Sequence, residues 1–303
     1  MNQEILDQIN MIIPQENILR DEPMSRHTTF RTGGPADCFI RIKSGEELSK
    51  LIALLTKENI DFFITGNGSN LLVSDKGYRG VIISMTGLDE LEVDGNRIHA
   101  GAGILTSKVA QEAYKNSLTG MEALAGIPGS IGGCLYMNAG AYGSEMKDVT
   151  VSAEIMFGDG HIEEVFVDDL GLRYRGSRIS DEKLLVLSVN LSLFAGDKKA
   201  IEEAMADFAA RRRDKQPLEF PSAGSTFKRP EGYFAGKLIQ DAGLRGFSIG
   251  GAQVSEKHCG FVVNKGGATS QDVIDVIRHV QKTVLEDSGV KLETEVILLG
   301  DFE

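Results

Sequence analysis

The sequence AGIPGSIGGCLYMNAGAYG, from Ala125 to Gly143, is the stretch from which the fold can be read. It lies within an uncharged run, Ala123 to Ser144, that is about as long as a membrane-spanning helix. Proline and repeated glycines argue against a span, because they would break a helix in several places. These residues are Pro128, Gly126, Gly129, Gly132, Gly133, Gly140 and Gly143. We expect a loop whose exposed backbone approaches a flat, aromatic ligand closely.

Earlier in the chain lies another glycine-rich loop, ITGNGSNLLVSD, which runs from Ile64 to Asp75 and leaves a predicted strand. In chain order, Ile64–Asp75 is called the first glycine-rich loop and Ala125–Gly143 the second. Consecutive backbone N–H groups can converge there on a phosphate or pyrophosphate, with Ser69 and Asn70 as additional side-chain donors. A hairpin turn is the alternative, because Asn-Gly turns are common. Neither loop matches GxxxxGK[ST] or a strand-led GxGxxG with a downstream acid, which disfavours the usual dinucleotide fold.

Apolar periodicity predicts an α+β protein with a domain boundary near residue 200, where a polar helical connector begins. Leu185 to Leu193 alternates as one wall of a half-exposed sheet. The clearest helix, Gln271 to Asp287, has Ser270 as its expected N-cap and Gly289 after its end. The other predicted helices are Glu46–Glu58, Leu105–Leu118, Asp197–Arg213 and Ala235–Asp241. The other predicted strands are Phe62–Thr65, Val81–Met85, Val149–Phe157, Gly260–Asn264 and Glu295–Leu299.

Composition limits the classes of partner. The 303 residues include 32 Lys+Arg and 44 Asp+Glu, a net charge of -12, which argues against nucleic acid. We expect a cytoplasmic monomer without membrane insertion, since the N-terminus has no basic leader or apolar signal core. The widely spaced Cys38, Cys134 and Cys259 predict reduced, buried thiols. The five histidines show no metal-ligand spacing, so no metal is expected.

The basic residues form one local island. Between Arg211 and Lys237, seven basic and three acidic residues give a balance of +4 within an acidic chain. Such a reversal of sign suits an anionic ligand, with Lys215 and Arg229 as the best candidates for diphosphate and substrate contacts. The ordinary interpretation of Arg211 to Arg213 is a solvated helix end favoured by the helix dipole.

With these motifs, the chain resembles the UDP-N-acetylenolpyruvoylglucosamine reductases (UDP-N-acetylmuramate dehydrogenases, the MurB family) nearly from end to end. Only 49 residues, 176 to 224, separate Arg175 from Ser225, which resembles the family's short form that lacks a tyrosine-bearing loop. Besides the two loops above, the matching motifs are TTFRTGGPAD (Thr28–Asp37), YRGS (Tyr174–Ser177), AGSTFKRP (Ala223–Pro230), AGKLIQDAGLRG (Ala235–Gly246) and LETEV (Leu292–Val296).

The resemblance implies an FAD-binding fold of the vanillyl-alcohol oxidase type. It divides the chain into an FAD-binding region, 1–200, with α+β subdomains of about 1–80 and 81–200, and a C-terminal α+β substrate domain, 201–303. The first loop would hold the FAD pyrophosphate, and the second would line the flavin. The implied cofactor-binding residues are Gly66, Asn67, Gly68, Ser69, Asn70, Leu71, Gly126, Ile127, Pro128, Gly129, Ser130, Gly132, Gly133, Asn138, Ala139, Gly140 and Tyr142.

The resemblance also implies the reaction: NADPH reduces FAD, and hydride then passes to the enolpyruvyl group of a UDP-linked amino sugar. Ser225 would supply the proton, Arg175 would stabilise the enolate-like anion, and Glu295, if protonated, would donate a hydrogen bond to it. Tyr174, Lys215, Lys228, Arg229 and Lys237 are the expected substrate-binding residues.

Two other classes of function remain open at this point. A flavin-dependent oxidase or dehydrogenase on the same scaffold would share the cofactor loops, and the serine of AGS and the acid of LETEV argue against it. A flavin-binding protein without catalysis would hold a flavin that NADPH fails to reduce. Taken without the family, Ser225, Arg175 and Glu295 would be a turn serine, a surface charge and the start of an exposed strand edge.

Overall fold

The computed structural model describes residues 3–303 as a mixed arrangement of helices and short strands. The helices are α1 (Gln3–Ile12), α2 (Gly45–Lys57), α3 (Thr106–Lys115), α4 (Ile131–Tyr136), α5 (Arg178–Asp181), α6 (Lys198–Lys215), α7 (Ala235–Asp241) and α8 (Ser270–Ser288). The strands are β1 (Ile18–Pro23), β2 (Pro35–Arg41), β3 (Phe62–Thr65), β4 (Leu71–Val73), β5 (Tyr78–Ser84), β6 (Leu91–Asp94), β7 (Arg97–Gly101), β8 (Leu118–Thr119), β9 (Gly140–Ala141), β10 (Ser144–Glu145), β11 (Thr150–Met156), β12 (Ile162–Phe166), β13 (Leu185–Ser192), β14 (Phe194–Ala195), β15 (Ser248–Ile249), β16 (Ala252–Val254), β17 (Val262–Asn264) and β18 (Ile297–Leu299).

The chain forms two compact units built from interleaved segments. Unit 1 comprises the chain up to Leu19 together with Phe39–Asn67 and Val81–Arg212, and unit 2 comprises Arg20–Cys38, Gly68–Gly80 and Arg213–Glu303. Each unit combines several separate segments, whereas the domains expected from the sequence are continuous stretches of chain. The domain boundary near residue 200 stays a prediction. The first glycine-rich loop contributes Gly66 and Asn67 to unit 1, and its residues from Gly68 onward to unit 2.

Unit 1 is built on a five-stranded antiparallel sheet of order β12-β11-β13-β7-β6. Helix α4 packs on β13, and its Ile131 and Leu135 join the sheet residues Val189 and Leu191 in one buried cluster. The middle of the second glycine-rich loop is therefore fixed to the core of this unit.

Unit 2 is built around α8, which packs on the three-stranded antiparallel sheet β15-β16-β17 and on α7. Val273, Ile277, Val280 and Val284 of α8 are fully buried, as their spacing predicted. A second, parallel pair in this unit joins β4 to β18, with register Ile297↔Leu71 to Leu299↔Val73. This pair brings the end of the first glycine-rich loop beside the C-terminal segment.

Two local predictions from sequence are wrong. Thr269, one residue earlier than expected, caps α8 in a capping box with Asp272, because its hydroxyl accepts the Asp272 N–H at 3.0 Å. The stretch expected to be loop alone contains α4. On the polar face of β13, Asn190 and Ser192 are half-buried, whereas Ser188 is 3% exposed and its hydroxyl donates to the Glu154 carboxylate at 2.9 Å.

Candidate active site

In unit 1, the two glycine-rich loops contact each other. The Asn67 side-chain amide donates to the Pro128 carbonyl at 2.6 Å. A Cβ at Gly66 would overlap the Ser130 hydroxyl, so any larger residue there would displace that side chain. The turn Gly66-Asn67 and the segment Pro128 to Ser130 are therefore close neighbours, as a shared ligand would require.

The second loop is pinned along its length by backbone bonds. Ile131 N–H donates to the Ile104 carbonyl at 2.8 Å, and Gly132 N–H to the Ala102 carbonyl at 3.0 Å. A Cβ at Gly132 would lie 2.6 Å from that of Ala102, which no real pair of Cβ atoms tolerates. The helix thus begins inside a glycine-rich segment because the glycines allow it to pack directly on the neighbouring chain.

Each unit contains buried hydroxyls without hydrogen-bond partners. Among residues 3–303, the buried side-chain polar atoms that lack a hydrogen-bond partner include the hydroxyls of Ser130, Thr29 and Thr32. Thr29 lies beside Gly68 in unit 2, where its N–H donates to the Gly68 carbonyl at 3.2 Å. An unsatisfied buried hydroxyl costs about 1–3 kcal/mol, so such atoms indicate a missing polar ligand. In unit 1, Ser130 beside the turn Gly66-Asn67 fits a phosphate-bearing cofactor held against bare backbone.

Gly68 needs its lack of a side chain for two reasons. Its φ is +62°, and a Cβ there would overlap the His27 carbonyl. Beyond it, Ser69 is half-buried, and Leu71 is buried at the start of β4. The Asn70 side-chain amide donates to the Glu295 carbonyl at 3.0 Å. An amide carries two N–H donors, so this bond leaves one of them for a ligand.

Arg212 packs against the second loop, a contact that the sequence did not predict. The Arg212 guanidinium donates to the Gly126 carbonyl and lies 5.9 Å from the Tyr142 ring centroid, and Tyr142 stacks on Phe208 at 5.0 Å. The expectation that Arg211 to Arg213 form a solvated helix end is therefore wrong for Arg212, which is half-buried. The spacing Phe208-Arg212, four residues along one helix face, was the available signal.

Arg175 lies at the tip of a tight hairpin in unit 1. Arg173 N–H donates to the Gly176 carbonyl at 2.9 Å, and Gly176 N–H returns a bond of 3.2 Å. Arg175 has a φ of +51°. This is a left-handed backbone conformation that residues other than glycine and asparagine adopt only at a cost in free energy. The Arg175 guanidinium lies 5.1 Å from the ring centroid of Tyr174, which is 53% exposed.

Buried polar side chains anchor this hairpin to the second loop. Asn138, which is fully buried, donates to the Arg173 carbonyl at 3.2 Å and to Glu145 Oε2 at 3.0 Å. Ser177, also fully buried, donates to the Tyr136 carbonyl at 2.6 Å. Lys147, and to a smaller extent Asn138 and Arg175, lower the pKa of Glu145. An ionised Glu145 therefore belongs to the surroundings of the Arg175 cation.

In unit 2, the segments of Ser225 and Glu295 are paired. Glu295 N–H donates to the Thr226 carbonyl at 2.9 Å, and Phe227 and Thr294 form an antiparallel bridge. Thr226 is fully buried; its N–H donates to the Gly260 carbonyl at 2.8 Å, and its hydroxyl accepts the Val262 N–H at 2.9 Å. The exposed Ser225 thus precedes Thr226, whose hydrogen-bonding groups are all paired and which bonds directly to the segment of half-buried Glu295. The predicted strand Glu295–Leu299 begins two residues later, at Ile297.

Comparison with known proteins agrees with a cofactor-binding region followed by a C-terminal reductase domain. A family model described as FAD binding domain matches residues 36–165, and one described as UDP-N-acetylenolpyruvoylglucosamine reductase, C-terminal domain, matches 216–299. The UDP-N-acetylenolpyruvoylglucosamine reductase of Agathobacter rectalis is 50% identical over 315 residues, covering 100% of both chains. The chain belongs to the UDP-N-acetylenolpyruvoylglucosamine reductase family. It is an oxidoreductase, as predicted.

Solved structures confirm the predicted fold. The reductase of this family from Thermus caldophilus superposes with a TM-score of 0.80 at 34% identity, over 92% of this chain and 98% of that one. Wild-type Phl p 4.0202, a glucose dehydrogenase, matches with a TM-score of 0.52 at 10% identity, over 65% of this chain and 45% of that one. The second likeness concerns the fold alone, the FAD-binding fold of the vanillyl-alcohol oxidase type. The FAD-binding match and membership of the reductase family confirm FAD as the cofactor.

The two family models cover most of the expected reductase residues but not all of them. Both glycine-rich loops fall within the FAD-binding match, whereas Ser225 and Glu295 fall within the C-terminal match. Arg175 and Lys215 lie outside both matches. The structure pairs the segments of Ser225 and Glu295 in unit 2 and places Arg175 in unit 1.

The basic residues expected to bind the reductase substrate are exposed in unit 2, but several have acidic neighbours. Lys228 lies 3.3 Å from Glu293, and Lys237 forms an ion pair with Asp241. Arg229 stacks on Phe234, with its guanidinium 3.9 Å from the ring centroid. Lys215 is the exposed last residue of α6. Exposed ion pairs contribute little, about 0–1 kcal/mol, so an incoming diphosphate can exchange for these carboxylates.

The remaining reactive groups give no second centre within residues 3–303. The three thiols are free and buried, and burial raises the pKa of Cys134 to about 11. No cluster of three or more His, Cys, Asp and Glu side chains in the described chain would hold a metal ion. The search of residues 3–303 also finds no helix long and apolar enough to cross a membrane.

Proposed function

We propose that this chain uses NADPH to reduce the enolpyruvyl group of UDP-N-acetylglucosamine enolpyruvate, forming UDP-N-acetylmuramate for peptidoglycan precursors. FAD, when bound by the glycine-rich loops, would supply the hydride-transfer chemistry between NADPH and C3 of the enolpyruvyl group. The proposal is carried by the backbone bond from Glu295 to Thr226, which sets a hydroxyl and a carboxyl on paired segments. Relatives that share half of its residues are named UDP-N-acetylenolpyruvoylglucosamine reductase, and this name supports the choice of substrate.

The protein groups would act on the charge that develops when hydride reaches C3. Negative charge then appears on C2 and its carboxylate, and the planar guanidinium of Arg175 is suited to hold that carboxylate in a bidentate contact. Ser225 donates the proton to C2, and the exposure of its side chain leaves it accessible to substrate. Glu295, in its protonated form, donates a hydrogen bond that lowers the energy of the anion.

Substrate orientation falls to the aromatic and basic residues. Tyr174 presents an exposed ring beside Arg175, and Arg229 is preordered by its stack on Phe234. Lys215, Lys228 and Lys237 supply the positive charge that two anionic substrates require from a chain of net charge -12.

Anaerobic stopped-flow absorbance of the flavin tests the assignment of Ser225. Ser225→Ala should leave flavin reduction by NADPH nearly intact and slow reoxidation by the enolpyruvyl sugar by about two to four orders of magnitude. Ser222→Ala, three residues earlier in the same segment, is the matched control and should leave both steps unchanged. Equal loss of both half-reactions in Ser225→Ala would refute the assigned role.

The same titration separates the rival functions. If reduced flavin is reoxidised by dioxygen but not by the enolpyruvyl sugar, the protein is an oxidase on this scaffold. A bound flavin that NADPH fails to reduce would instead identify a flavin carrier. The proposed reductase requires both steps in sequence, with sugar-dependent consumption of NADPH.

A further inference from the structure

The main chain of Glu295 is held on both sides by residues of unit 2. On one side its N–H donates to the Thr226 carbonyl at 2.9 Å. On the other, its carbonyl accepts a bond of 3.0 Å from the Asn70 side-chain amide, across a sequence separation of 225 residues. Asn70 also accepts, through its own carbonyl, the Ile297 N–H at 3.0 Å. Two bonds from one asparagine therefore enclose the segment Glu295 to Ile297.

This arrangement fixes the direction of the Glu295 side chain. The peptide planes before and after its Cα are each tied to a different segment, so the backbone has little freedom to rotate. Between the two Asn70 bonds lies Val296, which is 3% exposed and packs in the core of unit 2. Only the side-chain torsions of Glu295 remain to be set.

Asn70 lies where the first glycine-rich loop becomes strand β4. The parallel pairing of β4 with β18 starts at the next residue, Leu71↔Ile297. We infer that Asn70 is a positioning residue for the acid: through the Glu295 carbonyl, it fixes Glu295 relative to Gly68 and Ser69 of the cofactor loop. This inference rests on the proposed role of Glu295 and extends it.

Two substitutions remove the contact in different ways. Asn70→Ala deletes the donor and leaves the Glu295 carbonyl without this partner. Asn70→Asp keeps the shape but sets a carboxylate oxygen against the carbonyl oxygen, and their repulsion should displace Glu295 further. Small misplacements of reacting groups cost up to about a hundredfold in rate. We expect flavin reoxidation by the enolpyruvyl sugar to slow about tenfold in Asn70→Ala and more in Asn70→Asp.

The variants are compared at saturating FAD, because the second amide donor of Asn70 is available to the cofactor and its loss should weaken FAD binding. At saturation, flavin reduction by NADPH should slow much less than reoxidation by the sugar, because Glu295 acts only in the second step. Ser74→Ala is the matched control. It removes a side-chain bond of 2.6 Å to the Asp301 carbonyl at the other end of the same strand pair, and should leave reoxidation by the sugar unchanged.

A double-mutant cycle with Glu295→Gln decides the matter. If Asn70 acts through Glu295, Asn70→Ala should have no further effect on reoxidation in the Glu295→Gln background. Additive losses, or a slowing of flavin reduction by NADPH in Asn70→Ala that matches the slowing of reoxidation at saturating FAD, would overturn the inference. A wild-type protein whose reduced flavin is not reoxidised by the sugar would refute the proposed function itself, and this is established before any variant is compared.

Discussion

The Arg175 hairpin of unit 1 and the Ser225–Glu295 pairing of unit 2 hold their functional groups by different means. Arg175 occupies a left-handed conformation, with φ +51°, at the tip of a turn whose anchors are the side chains of Asn138 and Ser177. Ser225 and Glu295 lie on segments joined mainly by main-chain hydrogen bonds. One group depends on particular side chains nearby, and the other depends on pairing between distant parts of the chain.

The difference has an energetic basis. A residue in a sparsely populated backbone region costs of the order of 1–3 kcal/mol and persists only where its surroundings impose it. Main-chain pairing imposes no such strain and tolerates most changes of side chain. Arg175 should therefore be the place where stability and function separate most clearly.

The largest effect is expected from Arg175→Asn. Asparagine adopts the left-handed conformation more readily than arginine, so the free energy of unfolding should stay equal or rise by about 1 kcal/mol. Loss of the cation should slow flavin reoxidation by the sugar by about two to three orders of magnitude, comparable to removal of an oxyanion donor. Urea denaturation and stopped-flow absorbance measure the two quantities.

Arg175→Ala provides the comparison, since it removes the same cation and keeps the strained backbone. It should be less stable than Arg175→Asn and equally impaired in rate. Should both variants unfold more easily than wild type while reoxidising normally, Arg175 would have a structural role only.

A second variant, Asn138→Ala, should break the hairpin anchor. It leaves the Lys147 N–H without its Asn138 acceptor, removes the amide bonds to the Arg173 carbonyl and to Glu145, and places alanine at a φ of +44°. We expect a loss of about 3 kcal/mol in the free energy of unfolding, from the lost buried hydrogen bonds together with strain.

Asn59→Ala is the control for the strain alone. Asn59 is exposed, and its φ of +52° matches the backbone of Asn138. The loss should therefore be about 1 kcal/mol, and the remainder in Asn138→Ala belongs to its hydrogen bonds. Equal losses in the two variants would show that the buried network contributes nothing to the hairpin.

The sequence predicts elements whose signal is local and periodic. The strand Phe62–Thr65 and the helix Ala235–Asp241 have the predicted bounds, and α8 differs by one residue at each end. Its cap was misassigned because Thr269 and Ser270 are both good caps, and only Thr269 stands three residues before Asp272 in a capping box. The helix α4 was missed because helix propensity penalises glycine, whereas packing against Ala102 favours it.

The candidate site was predictable as a set of residues but not as an arrangement. The resemblance supplied Arg175, Ser225 and Glu295, and local charge drew attention to the basic island around Ser225. No local pattern reveals that Asn70 reaches Glu295 across 225 residues, or that Arg212 caps the Gly126 carbonyl. Such contacts follow from strand pairing and helix packing, which a single sequence leaves undetermined.

The smallest effect should come from Thr226→Val in the paired segments. This nearly isosteric change removes the hydroxyl that accepts the Val262 N–H and leaves that buried donor without its partner. The free energy of unfolding should fall by about 1–2 kcal/mol. The main-chain bonds of Thr226 to Gly260 and Glu295 remain, so reoxidation by the sugar should change by less than about threefold, well under 1 kcal/mol.

Thr226→Ser restores the hydroxyl without the methyl group and should recover most of the hydrogen-bond energy, losing only the packing of one methyl group. If Thr226→Val instead slows reoxidation as strongly as the Arg175 variants, the main-chain pairing is not sufficient to hold Ser225 and Glu295. The contrast between the two regions would then fail, because side chains would determine the geometry in both. A small change in rate with a clear change in stability is the result that main-chain anchoring requires.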